Sequence, residues 1–569
     1  MKRAFLILTG LIVLVVAIAY GQYRRWNPAP PAAQAFINGT VLTMDAENAI
    51  AEAVLVKDDT IALVGTTDAV MAVAPAGVLV HDLQGKVLMP GFIDAHGHFP
   101  GWGVMAAAID LNAPPIGGVT SIADMQAAIS AKAKEVGPGK VITGMGYDDT
   151  LMAEMRHPTS ADLAEAAPDN PVIVIHVSGH MLVANEKAMV LAGVPMDAPN
   201  PEGGEIIRDA NGHPTGLMME TAGYPFQKIA LAFGPGDQLK IIQAGVDDYL
   251  AKGVTTAQNG LTEESLFAPL GWLSRLGIIP LRLALLVEAS FAHQLYDDDA
   301  LFDFSSDKFH IAGVKIVTDG SIQGYTGYLT EPYHVPSPLH DETYAGYPIH
   351  SPENLNNLVK MSFQRQLTPF LHGNGDAAMD DILNAVEIGR KAFPEAKNMW
   401  PVIIHAQMMR SDQIIRAKAL NVSPTFFNAH VYYWGDRHKS LFMGPNRAAR
   451  MSPMAEALAA DLPFTLHLDT PIVPMEPWLM VWSAVERETS SGEILGENQR
   501  ISVINAIRAT TIDAAWQAGL ADRTGSIEAG KWADLIIVDQ DPRESENIRN
   551  INVLETFVGG NSFYRKSAN

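Results

Sequence analysis

The 569-residue chain contains no cysteine. Disulfides, thiolate metal ligands and a cysteine nucleophile are therefore excluded, and any bound metal must be held by nitrogen and oxygen. Positive charge is scarce as well: 40 lysines and arginines face 63 aspartates and glutamates, a formal charge of -23. No basic stripe or run is visible, and without a basic surface no nucleic-acid partner is expected. Charged residues make up 18% and hydrophobic ones 48%, which excludes a disordered chain and fits a large core plus at least one further domain. No solenoid-type repeat is present.

The first residues read "MKRAFLILTGLIVLVVAIAYGQYRRW". Lys2 and Arg3 precede an uncharged apolar run over 4–21, and Arg24 and Arg25 follow it. Such a run is the mark of an export signal or a membrane span. Two forms are open: a signal peptide cut after Ala17-Ile18-Ala19, or an uncleaved anchor over 1–21 with "NPAPPAAQ" as a stiff linker within 22–34. Either predicts an exported, periplasmic or extracytoplasmic protein, with residues 4–21 in contact with membrane in the second case.

From 35 to 88 short alternating strands are broken by turn residues at Asn38-Gly39 and Asp58-Asp59, and similar runs return in "GSIEAGKWADLIIVDQD" and "INVLETFVGGNSFY". Chain ends commonly lie close together. One small composite β-sandwich is predicted from residues 35–88 and 521–569. Between them, residues 89–520 alternate apolar strands with helical patterns, the sign of a parallel sheet with crossover helices. Strands are expected at 88–95, 253–258, 281–287, 312–320, 368–373, 401–407, 421–427 and 463–469. These eight predict an α/β chain with a (β/α)8 TIM barrel, provided that 103–250 is an insertion after the first strand.

In such a barrel, chemistry sits at the C-terminal strand ends. "GFIDAHGHFP" carries His96 and His98 on one face of the first strand's end. Lys315 lies in the fourth strand, His372 ends the fifth, His405 the sixth, and Asp469 the eighth, with His467 two residues before it. Each alone has an ordinary reading, such as a hydrogen-bonded core histidine or a helix cap. A lysine on a buried strand must be paired, deprotonated or modified. The coincidence of all of them at strand ends, in barrel order, points to a metal site.

The chain resembles the amidohydrolase superfamily in its amidohydrolase-3 branch, which includes N-substituted formamide deformylase-like enzymes. The resemblance covers residues 35–566 and rests on "PGFIDAHGHF", "SGHMLVANEKAM", "GGEIIRDANGHPTGLMME", "GVKIVTDGSIQGYTG", "LHGNGDAAMDDILNA", "IIHAQ", "HLDTPIVP" and "TGSIEAGKWADLIIVDQDP". It implies that His96 and His98 bind one metal with Asp469, and that His372 and His405 bind a second. Lys315 corresponds to a lysine that relatives carboxylate to bridge the metals, with Glu220 as the alternative bridging ligand. One or two zinc ions per chain are implied. The implied reaction is hydrolysis of a non-peptide C–N bond, in an amide, formamide or cyclic amide, by a metal-activated hydroxide. Asp469 is then the proton carrier, and His180 faces the substrate and stabilises the oxyanion. Asp319, Gln323 and Asp376 are expected behind the ligands. His430 falls where relatives carry a histidine after the seventh strand.

Alternatives on the same metal site are an aminohydrolase (deaminase) or a lactone or ester hydrolase. Deaminases of this kind carry a glutamate three residues after the fifth-strand histidine, whereas His372 is followed by Gly373, Asn374 and Gly375. A non-catalytic envelope binding protein is the reading from another class, although such a protein would be expected to have lost ligands. A small-molecule partner is expected, and a homo-oligomer is compatible with the sequence.

Overall fold

The computed structural model describes residues 28–292 and 305–567. The apolar run read as signal peptide or anchor lies outside the described residues. Among the described residues, no helix is long and apolar enough to cross a membrane. A strand starts at Ala33, so the expected linker ends two residues earlier than its reading. The chain divides into two compact units, one of residues 1–94, 246–312 and 511–569, the other of residues 95–245 and 313–510.

The first unit holds two sheets, one built from N-terminal strands alone and one built from both chain regions. One has four strands in the order Thr60–Gly65, Ala53–Lys57, Ala33–Ile37, Leu79–Asp82. The other has six: Asn561–Arg565, Val553–Val558, Leu535–Val538, Val87–Pro90, Thr40–Leu42, Ile50–Ala51. Leu535–Val538 runs antiparallel to Val87–Pro90. Alternation explains the packing: Val54 and Val56 join a core with Phe36, Leu88, Leu535, Ile537 and Phe557, while Ala53 and Leu55 turn to a second core with Ala35 and Val70. Asn38 and Asp58, both read as turn residues, adopt positive φ of 57° and 53°.

This unit also contains three parallel strands, β1 (Phe92–Ile93), β2 (Val254–Thr262) and β3 (Arg282–Glu288). The expected single strand over 88–95 is in fact two: Val87–Pro90 joins the terminal sheet and β1 starts after Gly91. Arg282 at the start of β3 makes a bidentate pair with Asp534, at 2.6 and 3.0 Å. Its guanidinium also stacks on Trp532 at 3.6 Å.

Five further strands follow: β4 (Phe309–Val317), β5 (Pro369–Gly373), β6 (Val402–His405), β7 (Ser423–Phe426) and β8 (Thr465–Leu466). Neighbours from β4 to β8 pair in parallel. Strands β1 to β8 form one eight-stranded sheet in chain order. Helices Asp376–Ala392, Ser411–Ala419, His430–Arg437 and Pro477–Glu486 follow β5 to β8, the strand–helix alternation that parallel pairing requires.

The second unit also carries the sheet of the 103–250 segment. Its six strands run Gly204–Arg208, Pro214–Glu220, Met181–Ala184, Val172–His176, Ile142–Tyr147, Ile109–Asp110, with mixed direction. One face buries Leu111, Val174, Val183 and Leu217, and the other buries Ile175, Leu182, Met218 and Phe226. His180 lies in the turn before Met181, and Glu220 ends its strand.

Candidate metal centre

Eight residues singled out by the sequence form a connected constellation in the second unit. His98 Nε2 is 3.3 Å and His96 Nε2 3.6 Å from Asp469 Oδ1. Two backbone bonds set this pairing: Asp469 N–H donates to His96 O at 3.1 Å, and His98 N–H to Thr470 O at 2.8 Å. Lys315 Nζ lies 3.0 Å from His96 Nε2. The His96 and His405 rings are 5.6 Å apart, and those of His405 and His372 4.5 Å. His372 Nε2 is 3.2 Å from His180 Nε2, and His180 Nδ1 is 2.8 Å from Glu220 Oε2.

The strand ends position these groups. Gly373 of β5 pairs with His405 of β6, one register step beyond the His372–Ile404 pair, so both imidazoles emerge at the same sheet edge. Three site residues adopt left-handed φ: Glu220 at 50°, His405 at 72° and Asp469 at 55°. Non-glycine residues rarely hold such φ, and they cluster where function demands the geometry.

Burial dominates the electrostatics. Lys315 is 4% exposed, and desolvation lowers its ammonium to about 8. His372 and His405 are driven well below the ordinary imidazole value, first by burial and then by neighbouring imidazoles and Lys315. Both are neutral, the form in which an imidazole can bind a metal. Burial opposes charge on His180 too, but the Glu220 carboxylate outweighs it and the group is raised. For Asp469 burial is likewise outweighed, by His98 above all, and the carboxyl is lowered.

Asp319, expected behind the ligands, lies against His372. It accepts from His372 Nδ1 at 3.0 Å and from the backbone N–H groups of Tyr328, Asn374 and Gly375 at 2.8–3.0 Å. Burial pushes its carboxyl up to about 7 against those donors. Four donors aimed at its oxygens serve the ionised form. Asp376 differs from expectation: its carboxylate is taken by Thr330 and by Arg410 at 3.0 Å, an ion pair between helix starts. Gln323 is buried in a 3-10 turn with Oε1 unpartnered. His430 is bonded to His438 Nε2 at 3.2 Å on the helix after β7.

The residues fit a divalent ion. His405 Nδ1 and Glu220 Oε1 are buried without hydrogen-bond partners, a costly state for polar atoms. Tetrahedral coordination at 2.0–2.2 Å separates donor atoms by about 3.4 Å, and the His96–Asp469 and His98–Asp469 separations bracket this.

His467, which sequence reasoning left between packed and substrate-facing, is fully buried with both ring nitrogens unpartnered. It lies 5.3 Å from the His96 ring and 5.0 Å from that of His405. A second group, Asp148, Asp149 and His176, also gathers ligand atoms and was not read from the sequence. Its donors are spent: Asp148 is 2.5 Å from the Arg437 guanidinium, and Asp149 lies between His176 at 3.0 Å and His157 at 3.6 Å. Nothing in "GYDDTLMAEMRHPT" marks that convergence by spacing.

The amidohydrolase family model matches residues 79–564. The N-substituted formamide deformylase of Arthrobacter pascens is 29% identical over 548 residues, covering 93% of this chain and 98% of that protein. The Bacillus subtilis (strain 168) amidohydrolase YtcJ is 27% identical, covering 85% and 90%. Among solved structures, an uncharacterized metal-dependent hydrolase from Pyrococcus horikoshii aligns with a TM-score of 0.72 at 25% identity, covering 90% of this chain and 99% of that one. The chain belongs to the amidohydrolase family.

Proposed function

We propose that the chain is a metal-dependent hydrolase that cleaves a C–N bond other than a peptide bond in a small molecule, an amide, formamide or cyclic amide. The carrying observation is the His96–His98–Asp469 group, in which both imidazole nitrogens stand at ligand separations from Asp469 Oδ1. The formamide deformylase named above favours this substrate class.

His96, His98 and Asp469 would hold one ion, and His372 and His405 a second. Zinc suits such an all-nitrogen-and-oxygen donor set. Bound there, a divalent ion supplies Lewis acidity that lowers the pKa of water to near 7 and polarises a carbonyl. The chain's own groups do the rest. Asp469 takes the proton of the attacking water as the C–O bond forms, and returns it to the nitrogen as the C–N bond breaks. His372 and His405 remain neutral, and Asp319 holds His372 with Nε2 turned towards the site. Lys315, with its amine lowered by burial, is suited to react with carbon dioxide. The resulting carbamate would supply the bridging oxygens, and Glu220 is the alternative bridge.

We read the eight parallel strands as the (β/α)8 barrel of this family and the two sheets of the chain ends as its β-sandwich. The apolar run over 4–21 supports export.

The test is metal content and turnover together, on formamides and simple amides. Chelation is expected to remove about one to two ions per chain and all activity, and His96→Ala or Asp469→Asn to cost at least ~100-fold while the fold persists. Near-normal turnover in both variants would end the proposal.

A further inference from the structure

His180 entered as a substrate-facing oxyanion stabiliser, but its surroundings are those of a ligand. Two carboxylate–imidazole pairs meet head to head. Glu220 Oε2 binds His180 Nδ1 at 2.8 Å, and Asp319 Oδ1 binds His372 Nδ1 at 3.0 Å. A carboxylate on Nδ1 keeps the proton there and leaves Nε2 with its lone pair outward. The two Nε2 atoms then face each other at 3.2 Å. Two lone pairs at that distance repel unless a cation lies between them, a proton in one case and a metal ion in the other. Nitrogens on a tetrahedral ion at 2.0–2.1 Å stand about 3.4 Å apart.

Two further features point to an ion. Glu220 is 3% exposed, holds a φ of 50°, and has its second oxygen unpartnered. A side chain on Gly320 would collide with that oxygen. The chain thus accepts backbone strain and a glycine to place a carboxylate behind His180, in the same relation that Asp319 has to His372. His405, with its ring 4.5 Å from that of His372 and Nδ1 unpartnered, stands beside the pair.

We propose that His180 is a ligand of the second metal ion together with His372, and that Glu220 is its positioning residue rather than a bridge between ions. This rests on the metal-dependent hydrolase reading above.

The experiment uses the full chain, stripped with chelator, reloaded with zinc or cobalt and desalted. Metal per chain is measured by mass spectrometry, affinity by titration, and cobalt geometry by visible absorption. Wild type is expected to hold two ions. His180→Asn is expected to hold one, with the cobalt spectrum reduced to a single site, and Glu220→Gln to weaken the second ion by roughly 10–100-fold. Should His180→Asn fail to fold, Glu220→Gln carries the test alone.

Two ions in His180→Asn at wild-type affinity, or unchanged affinity in Glu220→Gln, overturn the proposal. A single ion in wild type that His180→Asn leaves untouched does the same, and reduces the contact to an imidazole–imidazole hydrogen bond. These results leave the hydrolase reading intact. Wild type that binds no ion sinks both.

Discussion

Lys315 is an amine held 4% exposed with its Nζ 3.0 Å from an imidazole nitrogen. An ammonium there loses most of its hydration, which is why burial lowers it to about 8, and an amine partly deprotonated near neutrality can attack carbon dioxide. If Lys315 is carbamylated, enzyme stripped of metal and of dissolved carbon dioxide regains activity faster when bicarbonate is supplied, and Lys315→Ala shows no such response. A carbon-13 carbamate signal in wild type, absent from the variant, checks the same point. Asp319 gives a second residue-scale prediction. Asp319→Asn keeps the shape but presents an amide to His372 Nδ1, so the preferred tautomer is lost. Metal affinity should fall roughly 10–100-fold with little change in unfolding midpoint.

At the scale of elements, the Arg282–Asp534 pair ties β3 to the turn before Leu535–Val538, and its side chains are 5% and 0% exposed. Asp534 also accepts from Thr524 Oγ1 and Gly559 N–H. Removing one charge leaves the other buried and uncompensated, so Asp534→Asn should cost about 3–5 kcal/mol, read as a lower urea midpoint. The helix His430–Arg437 and the turn after it hold another such case. His438 is lowered to about 3 by burial and then by Arg437, and His430 lies well below the ordinary value, again through burial first and His438 next. Both are neutral in the fold and take up protons on unfolding. Their contribution is complete above about pH 6.5 and drains away as pH falls from there towards 3, at about 1.4 kcal/mol per unit for each such group. His438→Gln should flatten the dependence of the unfolding midpoint between pH 7 and 5.

The elements also show how far the sequence could be read. Seven of the eight parallel strands were placed within a few residues, because each is an apolar run ended by a turn or a polar group. The run 88–95 failed as one strand because Pro90-Gly91 hands the chain from one sheet to another, a topological event that leaves the hydrophobic pattern continuous. The ligand-type residues were visible as polar groups at strand ends. The Asp148–Asp149–His157–His176 group was not, since its carboxylates and His176 meet only through the pairing of Tyr147 with His176 on neighbouring strands. The Nε2–Nε2 contact of His180 and His372 depends on two carboxylates whose direction no spacing encodes.

For the molecule as a whole, the candidate site lies in the unit of residues 95–245 and 313–510, while the six-stranded sheet of the other unit needs both chain ends. Phe557 packs with Phe36 and Val54 in one core, and Val553–Val558 covers Leu535–Val538. Truncation before Val553 should therefore expose Leu535 and Ile537 and give aggregated protein. Soluble truncated chain with wild-type melting would refute this. The formal charge of -23 adds a milder expectation: moderate salt, by screening like charges, raises the melting temperature of the intact chain slightly.

The pairing of Val87–Pro90 with Leu535–Val538 also sets a timetable for synthesis. At 5–20 residues per second the ribosome needs roughly 20 to 90 s to move from one strand to the other. Throughout that interval the nascent chain carries Leu88 and Phe36 without Leu535, Ile537 and Phe557, their partners in the finished core.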